Sequence, residues 1–445
     1  MQECILPILY LIYMKKEILK KIEDGTVRIG IMGLGYVGLP LAVSFAQSKK
    51  MPVVLGFDTD VNVAKLANGQ SYVKDVSNET LEDAMYNRML ILDSDKTMLK
   101  ECDAIIICVP TPLDKFKKPD LSFVREAMIE VGKNMKKGVF ICLESTTYPT
   151  TSEGFIEPLL SEVFGKKYGR DYWLGYSPER VDPNNKVFNT INTPKLLGAI
   201  TKDGLEIGKK LYELAIDNVV TVSSPRVAEM AKILENTYRL VNISLINELA
   251  LLAGKMEIDI WEVINAAGTK PFGFQPFYPS AGIGGHCIPL DPFYLEHIAK
   301  KYDFDLTMIH TAGHINMRMP YYMSVKVASA LNSVGKSIQG SRILFLGVAY
   351  KPDIDDFRES AAVKIMEIAH EKGAKVSYYD PHVPVLTGHG HRSEESLNVA
   401  LKGADCVVVC VKHSEFDSEL VFDKSKLIVD LCNFIDKPHK KVFKL

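Results

Sequence analysis

The chain lacks a surplus of either charge. Its 53 Lys and Arg stand against 55 Asp and Glu, a formal net charge of −2, and the basic residues are scattered rather than clustered. That removes the electrostatic footprint of a nucleic-acid or anionic-membrane binder, whereas a small anionic substrate, which needs only a local pocket, stays open. No apolar run is long enough to span a bilayer: residues 4–13 make a stretch of ten, against the ~20 required. A basic leader with a small-residue cleavage site is also missing, so a cytoplasmic protein without a membrane or nucleic-acid partner is expected. Residues 1–13, ahead of Met14, are expected to be an upstream extension without function. Cysteine is sparse, eight in 445 residues, which excludes a disulfide framework. None of the eight forms a CxxC pair or a Cys/His cluster with zinc spacing. Most lie in apolar runs such as 104–108, where a reduced core thiol in a reducing compartment is expected, and no metal.

What is present is the composition of a globular protein, 47% hydrophobic and 24% charged, in a chain too long for one ordinary core. A β-prone run at 27–32, a glycine turn, a helical pattern at 39–50 and a second strand at 53–57 form one strand–helix–strand unit. The alternation continues with strands at 104–109 and 138–143 around a helix at 122–135, which predicts a parallel sheet covered on both faces. From 225 the pattern changes to long helices, notably 225–255 and 310–334, around a Pro- and Gly-rich loop at 268–292; loops of that length are usually functional. A second α/β region follows, with strands at 342–347, 375–379, 404–411 and 426–431 and a helix at 361–372. Its run 404–411 echoes 102–109. The expected fold class is α/β: two doubly wound, Rossmann-like domains (14–224 and 338–445) joined by a central helical domain with a long helix (225–337). The turn that opens the second, 347–352, lacks the glycine triplet, so no second dinucleotide is expected there.

Gly33, Gly35 and Gly38 sit in a G-x-G-x-x-G turn that follows a strand and opens a helix, and Asp58 ends the next strand twenty positions after Gly38. This is the context of a dinucleotide site. Gly33 permits the sharp turn, Gly35 lets the backbone approach a pyrophosphate, and Gly38 lets the helix pack on the sheet. Tyr36 and Val37 complete the turn, whose N–H groups face the phosphates. Asp58 would accept from the adenosine ribose and repel a 2′-phosphate, which favours NAD over NADP. A second constellation, residues 282–292, sets Cys287 among glycines and next to His286. There the sulfur is either an activated nucleophile or a buried inert thiol. Taken singly, Glu179 and Asp291 read as solvated loop carboxylates and Lys232 as an exposed helix lysine.

Together these motifs carry a resemblance. The glycine turn, Glu144-Ser145-Thr146, Ser177-Pro178-Glu179-Arg180, Glu229-Met230-Ala231-Lys232 with Asn236, Gly284-Gly285-His286-Cys287 with Asp291, and Lys351-Pro352-Asp353 with Arg358-Glu359-Ser360 resemble the UDP-glucose/GDP-mannose dehydrogenase family, in the family's order. The loop around Cys287 and the run 270–279 look most like the branch acting on UDP-N-acetylhexosamines. UDP-N-acetyl-D-glucosamine is the implied substrate, with its C2 epimer UDP-N-acetyl-D-mannosamine, and then UDP-glucose, as alternatives. Leu290 stands where glucose-specific relatives carry a lysine, and Val63 where many carry a basic residue near the adenosine.

The resemblance implies a four-electron, NAD-dependent oxidation of the C6 alcohol to the acid, with Cys287 as covalent nucleophile. It implies Lys232 and Asn236, four apart on one helix face, as oxyanion partners, Glu179 as base, and Asp291 and Thr146 as holders of the water. NAD is implied to meet Thr111, Thr147 and Arg358 besides the glycine turn and Asp58. The sugar nucleotide is implied to meet Glu179, Lys232, Asn236, Tyr278, Gly282, Gly284 and Lys351, and the chain to form a homodimer or larger assembly. A two-electron dehydrogenase of the hydroxyacid or 6-phosphogluconate type needs no Cys287, and a non-catalytic NAD and nucleotide-sugar sensor needs neither Cys287 nor Lys232.

Overall fold

The structure, a computed structural model, describes residues 2–86, 89–114, 118–182, 185, 187–285 and 287–445, with side chains from residue 11 onward. The chain forms two compact units, residues 1–234 with 293–302 and residues 235–292 with 303–445.

The first unit runs α1 (Gln2–Asp24), β1 (Arg28–Met32), α2 (Gly38–Ala46), β2 (Val53–Phe57), α3 (Asp60–Ala67), α4 (Asn78–Tyr86), β3 (Leu90–Asp93), β4 (Ala104–Ile107), α5 (Ser122–Asn134), β5 (Val139–Leu143), β6 (Tyr172–Tyr176), β7 (Lys195–Ala199), α6 (Lys202–Tyr212) and β8 (Val219–Thr221). The strands lie side by side as β3-β2-β1-β4-β5-β6-β7-β8. Those from β3 to β6 are parallel. Period-two alternation feeds two cores: Ile29, Ile31, Ala104, Ile106, Phe140 and Cys142 point to one, and Met32, Ile105, Ile107, Ile141 and Leu143 to the other. Strands buried on both faces read as unbroken apolar runs. The sheet departs from the expected all-parallel form at β7, which pairs antiparallel with β6. Among the described residues the connection between them carries no helix, and without a crossover a strand returns alongside in the opposite direction.

α1 begins at Gln2, within the residues expected to be an upstream extension. Its buried stripe Met14, Ile18 and Ile22, with Leu11 behind it, packs into the first core, and Lys15 pairs with Asp203 and Glu206 of α6 at 2.6 and 2.7 Å. No helix among the described residues is long and apolar enough to cross a membrane.

The middle of the chain supplies α7 (Pro225–Lys255), α8 (Ile260–Gly268), α9 (Asp291–Ala299) and α10 (Thr307–Ser333). Then follow β9 (Arg342–Leu346), α11 (Ala361–Glu371), β10 (Lys375–Tyr379), the small hairpin β11 (Val385–Leu386) and β12 (His391–Arg392), α12 (Leu397–Gly403), β13 (Cys406–Val409), α13 (Ser418–Lys424), β14 (Ile428–Asp430) and β15 (Val442–Lys444). In the second unit β10-β9-β13-β14-β15 form a parallel sheet. α10 and α11 cover one face through Met319, Met323, Val327, Leu331, Ile365 and Met366 against Ile343 and Phe345. Leu344, Leu346, Val407 and Val409 fill the other face.

The echo between the two α/β regions has a physical cause. Asp103, just before β4, accepts the N–H of Arg28 at 2.9 Å, and Asp405, just before β13, accepts that of Arg342 at 2.9 Å. Each carboxylate thus ties the starts of two adjacent strands, with Lys21 and Lys136 beside the first and Lys336 beside the second. Asp58 after β2 and Asp380 after β10 repeat a second device, since each accepts N–H groups of the turn after the neighbouring strand: Leu34 at 2.6 Å for Asp58, Val348 and Ala349 at 2.7 and 3.0 Å for Asp380.

Candidate active site

The glycine turn follows β1, in the crevice at the carboxyl ends of the strands where β1 lies between β2 and β4 and the strand order reverses, the position at which doubly wound sheets bind ligands. Gly33 has φ +91°, and a Cβ there would lie 2.7 Å from the Cys108 carbonyl. A Cβ on Gly38 would lie 1.8 Å from the Gly33 carbonyl oxygen, whereas one on Gly35 would meet nothing within 4 Å. Two of the glycines are therefore required by the protein itself, and the third leaves its space open. α2 starts at Gly38 without a side-chain cap, so its first turn carries the partial positive charge of a helix N-terminus uncompensated by a side chain.

The Asp58 carboxylate accepts from Leu34 N–H, from Thr59 N–H at 2.7 Å and from Asn62 Nδ2 at 2.9 Å. With about four acceptor positions on a carboxylate, one remains. Asp380 differs: it is buried and takes five donors, from Val348, Ala349, His382, Val383 and the His413 ring. That leaves no acceptor for a ribose. Beyond β5, Thr147 is fully buried, and its Oγ1 has no hydrogen-bond partner among the described residues. Thr146 beside it is half-buried, and the Thr111 carbonyl, after β4, accepts from the Tyr294 hydroxyl. An open glycine, an uncapped helix, a spare acceptor and an orphaned buried hydroxyl fit a dinucleotide.

Glu179 follows β6 and is turned inward, with 16% of its side chain exposed. Its Oε1 accepts the N–H groups of Arg180 and Val181, both at 2.7 Å, and its Oε2 lies 3.6 Å from Lys195 Nζ. Burial works against its charge, but Lys195, those two amides and Lys232 outweigh burial and hold the carboxyl below the ordinary range. Glu179 is thus ionised at neutral pH. Lys232 is itself buried, on α7. One turn earlier, Glu229 reaches back to the segment after β5 and accepts from Thr150 N–H at 2.5 Å and from Ser152 N–H and Oγ at 2.9 and 2.8 Å. This pins the start of two π-helical stretches, Ser152–Ile156 and Leu159–Val163.

In the second unit the loop that leads to Cys287 is bolted down. Ser280 N–H donates to Asn247 Oδ1 at 2.8 Å, Ile283 N–H to Asn316 Oδ1 at 2.6 Å, and Gly285 N–H to the Arg358 carbonyl at 3.0 Å. A Cβ on Gly284 would lie 2.7 Å from Tyr350 Cβ and 2.9 Å from the Glu359 carbonyl oxygen, so only glycine fits there. Gly282 and Gly285 have φ +135° and +84°. Cys287 is half-buried; its carbonyl accepts from Leu290 N–H at 3.1 Å and Asp291 N–H at 2.8 Å, a tight turn that runs straight into α9. Asp291 is buried, and its Oδ2 accepts from Asn236 Nδ2 at 2.6 Å.

Two of the expected catalytic residues, Asn236 and Asp291, are therefore bonded to each other, and Glu179 and Lys232 share a buried charged region. Tyr278 stacks on Trp261 with ring centroids 5.7 Å apart, and its hydroxyl meets Asn265 at 3.2 Å. Lys351 lies half-buried after β9. Arg358 is held by Asp356 through Nε at 3.0 Å and Nη2 at 2.6 Å, in the second unit, while the glycine turn and Asp58 belong to the first. His286 lies outside the described residues.

Lys195, Asn247 and Asn316 stand outside every motif read from the sequence, and Glu229 enters there only as part of the helix motif, without a role. The signal available for Lys195 was a lysine opening the apolar run 195–199. One cluster among the described residues, Asp353, His382, His413 and Glu415, has ligand atoms within 4.8 Å of one another. Its members already bond each other and their neighbours: His413 Nδ1 accepts Asp353 N–H at 2.9 Å, its Nε2 faces Asp380 at 3.0 Å, and His382 Nε2 faces Glu415 at 3.1 Å.

Models of the UDP-glucose/GDP-mannose dehydrogenase family match the chain in three parts: the NAD binding domain over residues 27–216, the central domain over 226–318 and the UDP binding domain over 344–437. The chain is 34% identical over 396 residues to a UDP-N-acetyl-D-glucosamine 6-dehydrogenase of Salmonella typhi, covering 88% of this chain and 91% of that one. It is 33% identical over 420 residues to a UDP-N-acetyl-D-mannosamine dehydrogenase of Pyrococcus horikoshii, covering 93% and 97%. A solved structure of the UDP-D-ManNAc dehydrogenase from Pyrococcus horikoshii superposes with a TM-score of 0.86 at 31% identity, over 94% of this chain and 99% of that one.

Proposed function

The chain belongs to the UDP-glucose/GDP-mannose dehydrogenase family, a nucleotide-sugar dehydrogenase with the family's NAD-binding domain, and on that premise we propose that it oxidises C6 of a UDP-N-acetylhexosamine, foremost UDP-N-acetyl-D-glucosamine, to the carboxylate. The observation that carries this reading is the buried Asn236–Asp291 hydrogen bond at 2.6 Å, made at the turn that presents Cys287 on a loop of required glycines. When bound, NAD supplies the hydride acceptor, one two-electron oxidation per molecule and hence two per sugar.

The chain's own residues do the rest. The Cys287 thiolate adds to the aldehyde carbon and keeps the half-oxidised sugar from leaving, as a thiohemiacetal that becomes a thioester at the acid level. Lys232 and Asn236 offer a cation and an amide donor to the oxygen that bears negative charge in each tetrahedral species. Glu179, ionised, takes the proton of the water that opens the thioester and returns the Cys287 thiol, with Thr146 and Asp291 orienting that water. Lys351 acts as a point charge for the diphosphate, with Tyr278, Gly282 and Gly284 along the sugar nucleotide. Gly33, Gly35, Tyr36, Val37, Gly38, Asp58, Thr111, Thr147 and Arg358 serve the dinucleotide. The C2 epimer UDP-N-acetyl-D-mannosamine is the second reading, favoured by the close superposition on the Pyrococcus enzyme. We also read residues 225–337 as the segment that pairs two copies of the chain.

Purified protein offered UDP-N-acetyl-D-glucosamine, UDP-N-acetyl-D-mannosamine, UDP-N-acetyl-D-galactosamine and UDP-glucose with NAD decides the matter when NADH is counted per sugar consumed. Two NADH per sugar on an N-acetylhexosamine is the expected result. One per sugar, or a preference for UDP-glucose, overturns it. Cys287→Ser should lose at least about a hundredfold in acid release while still binding NAD, and unimpaired turnover would exclude both the covalent route and any role for this thiol.

A further inference from the structure

Within the first unit Lys195 is buried at the start of β7 and faces two carboxylates. Its Nζ lies 2.8 Å from Glu144 Oε2 and 3.6 Å from Glu179 Oε2. Glu144, just beyond β5, is also buried, and its other oxygen accepts from the Tyr212 hydroxyl of α6 at 2.5 Å. Lys195 Nζ lies 5.5 Å from the centre of the Tyr212 ring. A lysine is rarely buried unless paired, and burying one is costly; a strand between β6 and β8 needs none, since an apolar residue would fill the same space. The β6–β7 antiparallel pairing, unusual in this sheet, sets this side chain beside the residue that follows β6.

We propose that Lys195 is a positioning residue for Glu179: bridging it to Glu144, it fixes the orientation of the Glu179 carboxylate and supplies its counter-charge. This rests on the reading of Glu179 as the base. Without a cation between them, two buried carboxylates repel, and one must take up a proton. Lys195 draws both carboxyls down, yet burial still raises Glu144, while Lys195, the two amides and Lys232 together hold Glu179 low. Oppositely shifted acids in one cluster mark divided roles. In this role Lys195 acts through Glu179 rather than on the reacting atoms. Its charge helps keep Glu179 ionised, while the amides of Arg180 and Val181 hold the other Glu179 oxygen. The remaining titratable groups around Glu179 and its partner are Lys232 from α7, Tyr212 from α6, and Cys108 and Cys142, whose thiols burial pushes up.

The test is the pH profile of kcat with NAD and UDP-N-acetyl-D-glucosamine for the full chain, Lys195→Gln, Lys195→Arg and Glu179→Gln. The acidic limb of Lys195→Gln should move up by about one pH unit or more, and Lys195→Arg should return it most of the way. An unmoved limb in Lys195→Gln with unchanged kcat overturns the proposal. Full turnover by Glu179→Gln instead overturns the reading of Glu179 as base, so the two failures are told apart. Should Lys195→Gln not fold, Glu144→Gln, which leaves Lys195 to Glu179 alone, takes its place: its acidic limb should move down, and an unmoved or raised limb refutes the bridge.

Discussion

At the scale of single residues, Gly35 and Gly38 separate what the fold requires from what the ligand requires. Gly38→Ala should fail to fold or lose much of its stability, because its Cβ would fall 1.8 Å from the Gly33 carbonyl oxygen. Gly35→Ala meets no protein atom within 4 Å, so its melting temperature should stay within about 2 °C of wild type while its NAD affinity drops at least about tenfold, ~1.4 kcal/mol. A thermal melt and an NAD titration on the two variants check this; tight NAD binding by Gly35→Ala would mean the backbone at that point does not approach the dinucleotide. Asn236→Asp would set two carboxylates against each other where the amide now donates to Asp291 at 2.6 Å. Its kcat should fall by about a hundredfold or more, and unchanged kcat argues against a shared role for the pair. Glu179, Lys232 and Asp291, which singly read as solvated charges, are instead buried or nearly so. No residue-by-residue reading finds that, because burial of a charge is decided by partners distant in sequence, such as Lys195 for Glu179.

At the scale of elements, the legible pieces were those whose pattern is local. The strands 53–57 and 375–379 and the helix 225–255 lie where apolar periodicity places them. The glycine turn was legible too, because its three glycines lie within six residues, although the Cys108 carbonyl that crowds Gly33 comes from just beyond β4. What escaped were elements made by tertiary contact: β3, the antiparallel β7, and the π-helical stretches, whose first turn is held by Glu229 from far along the chain. That anchor has a pH signature. Burial, the largest influence, pushes the Glu229 carboxyl up to about 7, against hydrogen bonds from Ser152 and Thr150 that favour the charged form. A folded-state value above the unfolded one contributes stability that is fully present below the unfolded carboxylate range and is lost as pH rises through about 7. The stability gap between wild type and Glu229→Gln should therefore narrow from about pH 4.5 to pH 7, measured by denaturant melts at each pH. A gap constant across that window refutes the shift. The variant also turns an amide N–H toward a backbone N–H, a cost of about 1–3 kcal/mol.

At the scale of the whole molecule, α7 and the residue that follows it show an apolar stripe to solvent: Leu245, Leu249 and Leu252, then Met256, each at least 40% exposed, spaced four, three and four as on one helix face. A continuous apolar face left exposed marks an interaction surface, and the proposed homodimer accounts for it. Light scattering should give a mass of at least twice 49.7 kDa for wild type, and Leu249→Glu should shift it toward the monomer; a monomeric wild type excludes the pairing. The thiols carry a final consequence. Burial pushes Cys102 and Cys406 up to about 12 and raises Cys108, Cys142, Cys410 and Cys432 as well, so six sulfurs are protonated at neutral pH and slow toward electrophiles. Among the described cysteines, brief iodoacetamide treatment should alkylate Cys287 ahead of all the rest, which would give peptide mapping a stoichiometric tag for the nucleophile and let the working fraction of any preparation be counted before a substrate is added.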